Sequence, residues 1–147
     1  MSKTGFRGFD HTIQETNTWL NEIADAMGHP DRQVAYHALR GVLHALRDRL
    51  TLAEMFNLSA QLPMLIRGIY FEGYKASNKP EKFHLDEFLA RVNKEVRMAG
   101  HVDPEKATRA VFQVIEHHVT MGEIEDIRAG LPRDIRRLWP EQPLATP

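Results

Sequence analysis

Apolar residues recur every three or four positions along nearly the whole chain, the period of an amphipathic helix. Ile13, Leu20, Ile23, Ala24 and Met27 define a first helix, and Gly28 stands where a C-cap glycine belongs. Asp31 caps a second helix that carries Val34, Ala35, Ala38, Leu39, Val42, Leu43 and Leu46 on one face. Thr51 and Glu54 form a T-x-x-E capping box that opens a short third helix, which Pro63 interrupts near Leu62. Pro63 suits the first turn of a fourth helix that is expected to bury Leu65, Ile66, Ile69 and Tyr70. A polar stretch from Lys75 to Lys82 reads as a linker. The pattern then restarts: Leu85 to Val96, Asp103-Pro104 to Ile115, a second T-x-x-E box at Thr120 and Glu123, and a last segment from Pro132 to Trp139. Pro140 ends it, and residues 141–147 are expected to form a flexible tail.

The two halves match at a constant offset of 69 residues. Ala38–Tyr70 aligns with Ala107–Trp139 without a gap, with identities that include both threonines and glutamates of the capping boxes, both Leu-Pro breaks, Arg40/Arg109 and Arg67/Arg136. Trp19-Leu20 aligns with Phe88-Leu89 at the same offset. The expectation is an all-α fold: a compact bundle of about eight helices, formed by two pseudo-symmetric four-helix repeats within one domain, 1–147. Repeat one spans about 9–74, the linker 75–82 and repeat two about 83–140. Two copies are too few for an open solenoid, so each half is expected to cover the other's apolar face.

Composition narrows the function classes. The net charge of −1 lacks the basic excess of a dedicated nucleic-acid binder. A helix-turn-helix reading of the capping-box regions would set Glu123, Glu125 and Asp126 against phosphates. A basic group, Arg133, Arg136 and Arg137, is the counter-argument, and nucleic-acid binding ranks last among the readings. The absence of cysteine removes disulfides and thiolate chemistry and fits a reducing compartment. No apolar run reaches the ~20 residues of a membrane span, and the polar N-terminus does not read as a signal peptide, so a cytoplasmic protein is expected.

The residues also resemble a bacterial family catalogued as domain of unknown function 2267. The resemblance rests on Phe9-Asp10, Trp19-Leu20, the run from Tyr36 to Tyr70 with Val42-Leu43-His44-Ala45-Leu46-Arg47-Asp48-Arg49-Leu50 and Arg67-Gly68-Ile69-Tyr70, and the closing Glu123-Ile124-Glu125-Asp126 with Leu131-Pro132. It implies a small helical bacterial protein and brings no activity or catalytic residues.

Candidate chemistry is sparse. His37 and His44 lie two turns apart with Arg40 and Gly41 between them, and His117-His118, being adjacent, are expected to point to different faces. No metal site and no cofactor are expected. Glu54 and Glu123 could pair as general acid and base, but their place in the capping boxes explains them without chemistry. No nucleophile elbow or phosphate loop is present. Arg40, Arg67, Arg109 and Arg136 recur in both halves. They either bridge helix carbonyls and acids or line an anion-binding cleft at the pseudo-twofold. Phe56, Met64, Tyr70 and Tyr74 are the candidate partner surface. The favoured reading is a non-enzymatic protein–protein interaction module, its partner another protein or a second copy of the chain. The alternative is a small-anion binder or enzyme that uses the four arginines.

Overall fold

In the computed structural model, residues 3–141 are described, and the expected tail lies almost entirely outside them. The described residues form eight helices and no strand: α1 (Arg7–Met27), α2 (Arg32–Arg49), α3 (Leu52–Ser59), α4 (Met64–Phe71), α5 (Leu85–Val96), α6 (Pro104–His118), α7 (Met121–Ala129) and α8 (Arg133–Arg136). Boundaries fall at positions 69 apart: Met27 and Val96, Arg49 and His118, Leu52 and Met121, Met64 and Arg133.

Local chemistry sets these ends. Gly28 takes the left-handed conformation (φ 65°), and the His29 amide returns to the Ala24 carbonyl at 3.1 Å, closing α1 in a geometry that penalises a side chain. Asp31 and Asp103 accept the amides of Gln33 and Glu105 at the starts of α2 and α6. Thr51 and Thr120 accept from the amides of Glu54 and Glu123. Helix α1 begins a full turn and more before its apolar period does. The Thr4 amide and hydroxyl both donate to the Asp10 carboxylate, which fixes a polar start that hydrophobic spacing does not register. Segment α8 is one turn, and the chain continues to Trp139 through i to i−3 bonds.

The halves interlock. Helix α1 packs on α2 and α6, α5 packs on α6 and α2, and α2 meets α6 while α3 meets α7. Helix α2 is buried on almost every side, including Gly41, where a Cβ would come within 3.0 Å of Glu95 Cβ on α5. The bare backbone lets these two helices approach closely. Trp139 stacks on Phe112 with ring centroids 4.0 Å apart. The segment between α4 and α5 is held to α2 by charge. Asp48 accepts from Lys79 (3.3 Å) and Arg91 (3.4 Å), Glu81 pairs with both of those cations, and the Glu81 amide donates to the Asp48 carbonyl. The Arg91 guanidinium accordingly holds the Glu81 carboxyl below its ordinary range.

Candidate functional site

The four recurring arginines do not share one arrangement. Arg67 in α4 donates to the carbonyls of Ser59 and Leu62, both at 2.8 Å, and so satisfies the carbonyl end of α3. Arg136 donates to the Leu131 carbonyl alone, at 2.9 Å, and its Nε is buried without a partner. Arg40 in α2 pairs with Glu72 and, at 3.0 Å, with Glu95 on α5. Arg109 is largely exposed on α6 and pairs with Glu105 one turn away. These guanidiniums are engaged by carbonyls and carboxylates, and none lines the more prominent surface depressions.

Of the expected partner surface, Phe56 (53% exposed) and Met64 (59% exposed) are at the surface, flanked by the exposed Leu52 and by Leu65, expected on the buried face of α4 and exposed instead. The Phe56 ring leans on Phe71 of α4 at 5.9 Å, which joins the α3 and α4 faces. Tyr70 corrects the expectation. It is wholly buried, its hydroxyl donating to the Met55 carbonyl at 3.0 Å, and burial pushes its phenol far above the ordinary range. A tyrosine at a helix position that faces the core is legible as apolar, but its spacing does not say how deep it sits. Tyr74 is half-buried, with Arg47 and Lys79 on its ring at 5.5 and 5.4 Å, and it belongs to the tether between α4 and α5.

Glu54 and Glu123 stand in the first turns of α3 and α7, where their amides donate to Thr51 and Thr120, yet each carboxylate leaves Oε2 buried without a hydrogen-bond partner. Glu54 accepts from the Thr51 hydroxyl through Oε1, while its other oxygen occupies the place a Cβ on Gly130 would take, so a side chain there would displace the carboxylate. Burial, then Asp126 and Glu54, push the Glu123 carboxyl above its ordinary value.

One grouping escaped the sequence. His117 and His118, expected on different faces, both reach Glu22 of α1: His118 Nε2 lies 2.7 Å and His117 Nδ1 3.2 Å from its carboxylate oxygens. Spacing rules compare residues along one helix. Here the common neighbour enters from another helix, 95 and 96 residues away in sequence. The His118 ring is sandwiched on Trp19, 4.9 Å away and nearly parallel. Asp25, Gln113 and His117 line the depression beside it.

The family described as an uncharacterized conserved protein (DUF2267) matches residues 16–138, and the chain belongs to that family. No curated protein matches the chain. No helix among the described residues is long and apolar enough to cross a membrane.

Proposed function

We propose that this family member is a duplicated helical unit acting as a non-enzymatic binding module, whose first half engages a protein partner through the outer face of α3 and α4. The observation that carries this reading is an internal comparison. Leu52, Phe56, Met64 and Leu65 are large, apolar and exposed. The residues 69 positions later are Met121, Glu125, Arg133 and Asp134, three of them charged. Helices α7 and α8 occupy the matching places with those charges, so the fold does not require apolar side chains there. Exposed apolar surface that folding does not need is the usual mark of a contact surface. The arginine alternative has less support, because the guanidiniums already satisfy helix ends or pair with acids.

The test gives the first half the charges of the second. The F56E/M64R variant should stay folded, at a cost of about 1 kcal/mol for the half-buried ring that Phe56 withdraws from Phe71. Proteins retained by the tagged wild type from nuclease-treated lysate should be missing from the variant. If the partner is a second copy, light scattering will show a wild-type dimer and a variant monomer. An unchanged retained set together with an unchanged oligomeric state would refute the proposal.

A further inference from the structure

We propose that Glu22, His117 and His118 form a binding site for a borderline divalent metal ion of the zinc class. Two imidazole nitrogens and a carboxylate oxygen are the donor set such ions prefer, and three protein ligands leave a fourth position for water. The three donor atoms lie within 4.8 Å of one another. A tetrahedral ion with bonds of about 2.0–2.1 Å needs donors roughly 3.4 Å apart. Measured to the one oxygen that both rings face, Glu22 Oε2, His117 Nδ1 stands at 3.3 Å and His118 Nε2 at 2.7 Å, and with all three donors within 4.8 Å of one another small side-chain rotations bring them to that spacing.

The surroundings favour a cation. Both histidines end α6, where the unpaired carbonyls of the last turn concentrate negative potential. Asp25, one turn along α1 from Glu22, adds a second carboxylate to the rim of the depression. Trp19, one turn before Glu22, holds the His118 ring by stacking, which limits the rotameric freedom that binding would otherwise freeze. The side chains of His118 and Glu22 are each a little under one-third exposed and that of His117 is about two-thirds exposed, so two donors are held by their surroundings and the site is open to an entering ion.

Helix packing does not call for these residue types. The residues 69 positions away from Glu22, His117 and His118 are Arg91, Asp48 and Arg49. There α2 and α5 meet through Arg91 on Asp48 at 3.4 Å, an ion pair in which the side chains themselves supply the positive charge beside the carboxylate. The α1–α6 crossing has a carboxylate facing two imidazoles in the same positions. Each imidazole nitrogen can give Glu22 a proton or, in the other tautomer, give a cation its lone pair. A bound ion would clamp the first half of the chain to the second.

The experiment is a titration of the tag-free full-length protein with zinc ion against a chromophoric chelator, with cobalt(II) as a spectroscopic probe. One ion per chain is expected, with visible cobalt absorption of a low-coordinate site. E22Q, H117A and H118A should each weaken binding at least about tenfold and lose that absorption, while H11A, at an exposed histidine outside the cluster, should leave both unchanged. Zinc should raise the Tm of the wild type and not that of H118A. Far-UV circular dichroism establishes that the variants are folded, and E22Q preserves the side chain's shape. No binding by the wild type, or equal binding by all four variants, would overturn the assignment.

Discussion

At the residue scale, the molecule uses its polar groups to finish helices, and the exceptions are informative. Arg67 and Arg136 cover the carbonyl ends that the Leu-Pro breaks leave open. Glu54 and Glu123 begin helices but end with an oxygen buried and unpartnered. For Glu123 the burial, reinforced by Asp126 and Glu54, raises the folded-state carboxyl above its unfolded value. The folded protein therefore holds this proton more tightly than the unfolded chain, and stability falls as pH rises from the unfolded carboxyl value through the raised one. Above that window the ionised group is a standing cost. E123Q keeps the shape and removes the charge, so it should be more stable than wild type at pH 7, and the advantage should vanish by about pH 4, where wild type is itself protonated. Urea denaturation at both pH values measures this. A variant less stable than wild type at pH 7 would mean that Glu123 pairs favourably in solution.

At the element scale, apolar period and capping residues made most helices legible in the sequence, because both signals are local. What stayed hidden depended on neighbours. The start of α1 is set by a polar turn around Thr4 and Asp10, and α8 stops after one turn although its counterpart α4 runs for two. Tyr70 read both as part of the buried face of α4 and as part of the partner surface, because helical spacing gives direction and not depth. The Glu22 cluster was invisible because its members come from α1 and α6. Gly41 is another such case. In mid-helix it looks like a weak point worth about 1 kcal/mol against alanine, yet it sets the approach of α2 to α5. Glu95 Cβ is fixed to its own backbone and cannot swing aside, and the Val92 carbonyl lies 3.4 Å from the same point. Gly41→Val should therefore destabilise by roughly 2 kcal/mol, overpacking outweighing the gain in helix propensity, where an exposed mid-helix glycine would show a net gain. Thermal denaturation with the matching change at the exposed Gly68, which has open space around its Cα, supplies the comparison.

At the scale of the whole molecule, the apolar faces of each half are covered by the other. Helix α2 lies against α5 and α6, and α1 against α6, so the principal contacts cross the segment that joins the halves. That segment is itself pinned to α2 through Asp48, Lys79, Glu81 and Arg91, and serves as packing as much as connection. A half alone would expose the faces of its first two helices and has about 70 residues with which to build a core, close to the size at which a lone apolar core is marginal. Neither residues 1–76 nor residues 77–147 should fold independently. Each fragment should give a weakly helical spectrum and no cooperative melt. Mixing the two should restore both, at concentrations set by their association, because the interlocked contacts need no covalent continuity. A cooperative melt in either fragment alone would mean that its four helices close a core without the partner face, and that the interlocking is a docking of two finished domains.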